Sequence, residues 1–145
     1  MGLLNAGGAA RVARVGTDLP PPYRNGWPMK LCEILRKLEA TPLTGDNDLD
    51  FDITRCGASD LMSDILARPS DGILLMTGLT SVQTIRTAKI AGVKAVLFVR
   101  GKTPLPEVLE AARNAQLPLF STPLSMFVSC GRLHAIGMTG LDGHR

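Results

Sequence analysis

Three segments of this 145-residue chain repeat one design, and that design constrains the fold more than anything else in it: an apolar strand, a threonine, then a helix. The first segment is Gly72-Ile-Leu-Leu-Met-Thr-Gly-Leu-Thr80, and the second is Ala95-Val-Leu-Phe-Val-Arg-Gly-Lys-Thr103. The third is Leu117-Pro-Leu-Phe-Ser-Thr122. The strand runs are apolar without alternation, as strands covered on both faces should be. Behind them, apolar residues recur at helical spacing: Val82, Ile85 and Ala88, then Leu105, Val108, Leu109 and Ala112, then Leu124, Phe127 and Val128. Units of about 20 residues fit strand–helix pairs joined by short loops. Three in succession predict a mostly parallel sheet in a three-layer α/β/α fold, with right-handed crossovers putting helices on both faces.

Thr80, Thr103 and Thr122 each stand where a helix N-cap belongs, with a hydroxyl able to accept from a first-turn N–H. Gln83 would complete a capping box with Thr80, and Pro104 and Pro123 would take the first helical position. Helices are expected at about 81–91, 105–115 and 123–132. Their N-termini then line one edge of the sheet, which is the usual ligand site of an open α/β fold.

The rest of the chain is read more simply. Leu31, Ile34, Leu35 and Leu38 form one apolar stripe of an amphipathic helix at about 30–39. Residues 41–44 and 51–55 are short strand candidates on either side of the acidic turn Gly45-Asp-Asn-Asp48. A helix at about 59–67 should start at Ser59 and bury Leu61, Met62, Ile65 and Leu66, with Arg68-Pro-Ser-Asp-Gly72 stopping it. Residues 133–136 are a candidate edge strand, and 138–145 a flexible tail. Residues 1–28, rich in Gly, Ala, Arg and Pro, read as a disordered extension ahead of a domain at 29–137. They lack the apolar core of a signal peptide, and Ala6 stands where a myristoylation signal wants Ser or Thr.

Composition narrows the function classes. The chain is 45% hydrophobic and 20% charged, enough to bury a real core. Its apolar runs reach about five residues, far from the roughly 20 of a membrane helix. The net charge is +3, but three of the 16 basic residues and one of the 13 acidic ones lie in 1–28, leaving 13 against 12 in the body. With one Trp, one Tyr and no basic stripe, the chain does not read as a nucleic-acid binder. Three cysteines (Cys32, Cys56 and Cys130) without a Cys-x-x-Cys pair do not make a secreted disulfide scaffold, so a reducing cytoplasm is favoured. They do not make a zinc site with His134 and His144 by spacing either, and no metal or cofactor is expected.

The candidate site is the strand-end edge. Thr77 and Gly78 open a glycine turn before a helix whose N–H groups can cradle an anion, although its spacing is not that of a P-loop. Arg100, Gly101, Lys102 and Thr103 place two cations at the end of a central strand, a fork and a point charge suited to phosphate. Ser121 and Thr122 close the set with Thr80. Ser59, beside Asp60 and Asp64, resembles a nucleophile only superficially, since no histidine is signalled near it. Met126, Phe127 and Cys130 are expected to pack in the core.

The runs Ser59-Asp-Leu-Met-Ser-Asp-Ile-Leu66, Leu75-Met-Thr-Gly-Leu-Thr80, Val96-Leu-Phe-Val-Arg-Gly-Lys102 and Pro118-Leu-Phe-Ser-Thr-Pro-Leu-Ser-Met-Phe127 resemble a DRTGG domain. The likeness covers roughly 29–133. The pentapeptide that names the family is replaced here by Val99-Arg-Gly-Lys102 and Thr77-Gly-Leu-Thr80. Such domains occur alone or fused to phosphotransacetylases, CBS-domain proteins and kinases, and are similar to the N-terminal domain of HPr kinase/phosphorylase. The resemblance implies a three-layer α/β/α module with a regulatory or ligand-sensing role and no known catalytic residues.

The expected function is therefore non-enzymatic: binding of a small anionic metabolite or nucleotide, or of a partner protein such as an enzyme or kinase. The alternative is an accessory subunit of an acyl- or phosphoryl-transfer or redox enzyme complex. A homodimer through a helical face is expected, because a nearly neutral body does little to discourage association and Arg100 and Lys102 would repel their copies across the loop edge.

Overall fold

The computed structural model describes residues 27–45 and 49–142. The expected N-terminal extension therefore lies almost wholly outside the described residues, as do the acidic turn at 46–48 and His144. The order of elements is β1 (Met29–Lys30), α1 (Leu31–Lys37), β2 (Thr41–Pro42), β3 (Asp52–Ile53), β4 (Cys56–Ala58), α2 (Met62–Ala67), β5 (Leu74–Thr77), α3 (Val82–Ile90), β6 (Ala95–Phe98), α4 (Pro106–Asn114), β7 (Leu119–Ser121) and α5 (Met126–Ala135). The main sheet has the order β2-β7-β6-β5-β4. Strands β4 to β7 run parallel, and β2 closes one edge antiparallel to β7. A two-stranded antiparallel ribbon, β1 with β3, lies apart.

Alternation along the buried strands divides the core in two. Ile73, Leu75, Val96, Phe98 and Leu119 point to one face, where Met62, Ile65, Ile85, Ala88, Val108 and Ala112 cover them. Leu74, Met76, Ala95, Leu97, Val99 and Phe120 point to the other, against Leu31, Ile34, Leu35, Leu38 and Leu133. The sheet is thus a layer between α2, α3 and α4 on one side and α1 and α5 on the other. The expected single-domain α/β fold with a mostly parallel sheet is what the structure shows.

The reason for the two covered faces differs from the expectation. Strands β4, β5, β6 and β7 are sheet neighbours in chain order, so right-handed crossovers carry α2, α3 and α4 to the same side. The opposite side is covered by helices outside those crossovers, α1 and α5, which pack on each other.

Several local expectations are corrected. None of the three threonines caps its helix: the N-caps are Ser81, Leu105 and Ser125, and Ser81 and Ser125 accept from the N–H groups of Thr84 and Val128. Pro106, not Pro104, is the first residue of α4, and α5 starts three residues beyond Pro123. Strand β4 was hidden in the sequence. It runs as the sheet edge just after the strand expected at 51–55, of which Asp52–Ile53 pairs with β1 and Arg55 makes a single bridge. Gly57 suits β4 because a Cβ there would lie 3.0 Å from Ile73 Cδ1 and 3.1 Å from Leu141 Cδ2. Residues 133–135 belong to α5 and form no edge strand; past the turn, Thr139 makes a parallel bridge to Arg55 and accepts from Cys56 N–H at 2.9 Å. Finally, Leu61, Leu66, Leu105, Phe127 and Val128 were expected in the core and are exposed, because each helix buries a narrower stripe than its apolar content suggests.

Candidate functional site

Parallel order places the segments that follow β4, β5, β6 and β7 along one edge of the sheet. Hydrogen bonds lace them together. Asp60, in the loop after β4, accepts from the Thr77 hydroxyl at 3.0 Å and from the Gly78 N–H at 2.6 Å through the same Oδ1. Lys102, after β6, donates from Nζ to the Gly78 carbonyl at 2.6 Å. Ser121, at the end of β7, donates to the Lys102 carbonyl at 3.2 Å. The N–H groups of Arg100 and Gly101 donate to the carbonyls of Leu124 and Thr122 at 2.8 and 2.7 Å.

Two threonines at the strand ends work as local staples rather than helix caps. The Thr77 hydroxyl, fully buried, accepts from Leu79 N–H while donating to Asp60. The Thr122 hydroxyl accepts from Leu124 N–H and donates to the Leu38 carbonyl at 2.5 Å, tying the end of α1 to the edge. Side-chain hydroxyls that bond two residues ahead in this way compete with the cap position, which then moves along the chain. Thr80 and Thr103 flank the starts of α3 and the α4 loop, with Thr103 exposed.

The turn after β6 is unusual in its backbone. Arg100 and Gly101 both lie in the left-handed region, at φ 62 and 65. Glycine does this freely, but a side chain such as that of Arg100 pays about 1–2 kcal/mol for it. The two backbone hydrogen bonds above hold the turn. The result is that the Arg100 guanidinium reaches back over the β5 loop: a Cβ on Gly78 would lie 3.1 Å from Arg100 Nη2 and 3.4 Å from both Asp60 carboxylate oxygens. The absence of a side chain at Gly78 makes room for both. Arg100 itself is exposed, and its guanidinium makes no hydrogen bond or ion pair among the described residues.

The edge that sequence spacing suggested as an anion cradle therefore already holds an anion, the carboxylate of Asp60 on the Gly78 N–H. An external anion can meet Arg100 directly, and it reaches the Gly78 N–H by displacing Asp60. Lys102, expected as a second cation for the ligand, is engaged with a carbonyl of the neighbouring loop. Asp60 went unrecognised as a part of this edge because it is distant in sequence; its position just after a strand was the missing signal, and β4 was not foreseen.

A second feature also escaped sequence reading. Beside the β4 edge lies a cavity of about 430 Å³ between α2, α5 and residues 138–142. Cys56, Cys130, Met76, Ser59 and His134 are among the residues that line it. Burial pushes the thiol of Cys56 strongly upward, with the neighbouring Cys130 adding to the effect, and burial raises Cys130 as well. Both are neutral thiols at neutral pH. Ser59 shares the cavity with a histidine after all, but its hydroxyl accepts from Leu61 N–H at 3.0 Å and lies 3.3 Å from the Leu61 carbonyl. That main-chain engagement is a turn, not the presentation of a nucleophile to a base. No group of three or more His, Cys, Asp or Glu among the described residues is placed to hold a metal ion. No described helix is long and apolar enough to cross a membrane.

No family model and no curated protein matches the chain. Among solved structures it is similar to the CBS and DRTGG domains of the regulatory region of a Clostridium perfringens pyrophosphatase, crystallised in complex with an activator, diadenosine tetraphosphate. The TM-score is 0.62 at 14% sequence identity, over 90% of this chain and 57% of that one. The likeness is one of fold, and the chain spans little more than half the length of its neighbour.

Proposed function

We propose that this domain, framed by residues 29–137, is a non-enzymatic regulatory module that binds a small anionic metabolite or nucleotide at the strand-end edge of its sheet. The observation that carries the reading is Arg100: a left-handed arginine, in a turn held by two backbone hydrogen bonds, whose unpartnered guanidinium projects beside Gly78 in the loop between β5 and α3. Glu39 and Gln116 share this backbone just past the ends of α1 and α4, whereas Arg100 adopts it after a strand, and left-handed side chains cluster at functional sites. A planar guanidinium fork suits phosphate. Thr77 and Gly78 form the floor, Gly101 gives the turn its shape, and Lys102, Ser121 and Thr122 fix the neighbouring loops. Thr80 and Thr103 stand at the rim. The solved structure of similar fold belongs to a regulatory region and was obtained with a dinucleotide activator, which supports the nucleotide class.

A regulatory role fits the chemistry of the edge, where hydroxyls are spent on main-chain groups and on Asp60. The module acts in the cytoplasm, in keeping with three free thiols, and passes its signal to a partner enzyme or kinase. It pairs as a homodimer through a helical face, where Leu66 on α2 and Ile90 on α3 are 54% and 78% exposed. Light scattering showing a salt-independent monomer at micromolar concentrations would remove the dimer from this reading.

The binding reading is tested by thermal shift with pyrophosphate, mononucleotides and dinucleoside polyphosphates. A ligand at 100 times its Kd adds about 2.7 kcal/mol of stability. At least one of these anions should raise Tm in the wild type, and Arg100→Ala should remove most of the rise while leaving the unliganded Tm nearly unchanged, since the exposed guanidinium makes no hydrogen bond or ion pair among the described residues and alanine keeps the same left-handed backbone cost. If no anion shifts Tm, or if Arg100→Ala responds as the wild type does, the edge is not an anion site.

A further inference from the structure

The cavity beside β4 has the volume of a small-molecule site, about 430 Å³. Its interior is apolar and rich in sulfur: Cys56, Met76, Cys130 and Met138 line it together with Leu133 and Ile65. Both thiols are neutral, so the interior offers no charge. Charge lies on its walls, Asp64 and Arg68 at the α2 side and Asp142 and His134 elsewhere. Asp64, in the first turn of α2, and Arg68, the extended residue that ends it, both line the same cavity. Both are exposed, and neither head group makes a hydrogen bond or ion pair among the described residues, not even with the other.

An apolar chamber beside one free carboxylate and one free guanidinium selects a particular chemistry. A polyanion of the kind suited to Arg100 would meet the unpaired carboxylate of Asp64 at this cavity as well as Arg68. A purely apolar molecule would leave both head groups unused. We infer that the cavity is a second binding site, separate from the strand-end edge, for a zwitterionic small molecule with an apolar body: an α-amino acid with an aliphatic or thioether side chain. Its carboxylate pairs with Arg68, its ammonium with Asp64, and its side chain fills the sulfur-lined interior. The site adjoins the edge through the chain itself, since Ser59 lines the cavity and the next residue, Asp60, holds the Gly78 N–H.

The test is calorimetry and thermal shift on the full chain with L-leucine and L-methionine, alongside 4-methylpentanoate and 3-methylbutylamine, which are leucine without its ammonium and without its carboxylate. The amino acids should raise Tm at millimolar concentration, and each truncated analogue should bind about tenfold more weakly, as expected when one charge-assisted hydrogen bond is lost. Asp64→Asn and Arg68→Gln, both exposed and harmless to folding, should each weaken leucine by a similar factor. Ala58→Trp, which fills the cavity from an exposed edge position, should abolish the response while far-UV circular dichroism stays native. Arg100→Ala should bind leucine as the wild type does, which keeps this site distinct from the anion site whether or not that one exists. The proposal is overturned if neither amino acid shifts Tm, if the amine-free acid binds as tightly as leucine, or if leucine binding survives in Asp64→Asn and Arg68→Gln.

Discussion

Asp60 offers the sharpest test of how the strand-end edge is built. One of its carboxylate oxygens accepts from a buried hydroxyl, that of Thr77, and from a buried backbone N–H, that of Gly78. Hydrogen bonds to a charged acceptor contribute about 1.5–3 kcal/mol each when secluded. Asp60 is itself exposed, so solvent screening reduces that figure and water can replace part of it, leaving about 2 kcal/mol for the pair. Asp60→Ala should therefore lower the urea midpoint at unchanged m-value and cut Tm by roughly 6–10 °C for a domain of this size. Asp60→Asn, which keeps an acceptor oxygen and loses the charge, should fall between. The informative comparison adds phosphate. If the carboxylate occupies an anion subsite, its removal exposes the Gly78 N–H beside Arg100, and phosphate should stabilise Asp60→Ala more than it stabilises the wild type. A loss below about 0.5 kcal/mol would show that the carboxylate does not hold the loops. Equal phosphate effects in the two proteins would show that it does not stand in for a ligand anion.

Two further outcomes follow from buried groups. Cys56 and Cys130 have folded-state thiols raised above their ordinary value of 9.0, so above that pH the unfolded chain releases protons that the folded chain keeps. Their contribution is fully present below pH 9.0 and is lost as the pH rises beyond it, at up to about 1.4 kcal/mol per pH unit for each thiol; urea titrations should show this fall, and Cys56→Ala should flatten it, whereas an identical slope would refute the assignment. Thr122→Val keeps the shape of a fully buried side chain but strands the Leu38 carbonyl and the Leu124 N–H, so a loss of about 2–3 kcal/mol is expected in chemical denaturation, and one under about 0.5 kcal/mol would mean that the end of α1 is not held there.

The parts of the fold that were legible in the sequence are those set by periodicity, and the parts that were not are those set by competition between neighbouring residues. Runs such as Leu74–Thr77 and Ala95–Phe98 announce buried strands because every residue is apolar or can bond inward, and the register of β5 on β6 follows from that. Helix starts failed differently. At each of the three starts the chain offers two candidates within a few residues: Thr80 or Ser81, Pro104 or Pro106, Thr122 or Ser125. Local chemistry alone favours either. The structure chooses the second every time, and for the last unit the reason is visible: the Thr122 hydroxyl is already committed to Leu38, 84 residues away. No local rule can see that bond.

The same distinction explains the candidate sites. Arg100, Gly101 and Lys102 could be picked out because cations after a buried strand are conspicuous, yet their roles divide only in three dimensions. Lys102 is drawn into the Gly78 carbonyl, while Arg100 is turned by its left-handed backbone toward the same loop and left without a partner. Two cations two residues apart thus become one structural strap and one free fork. The division gives the pair a test of its own. Lys102→Met should cost stability, because it leaves the Gly78 carbonyl without its strong donor, and should weaken an anion mainly through disorder of the β5 loop. Arg100→Met should leave stability nearly unchanged and weaken the anion directly. A charge-assisted bond to a half-buried carbonyl places the first loss at about 1–2 kcal/mol. If denaturation finds the two variants equally stable, or if Lys102→Met alone abolishes anion binding in a protein of wild-type stability, the roles are reversed and Lys102 is the ligand contact.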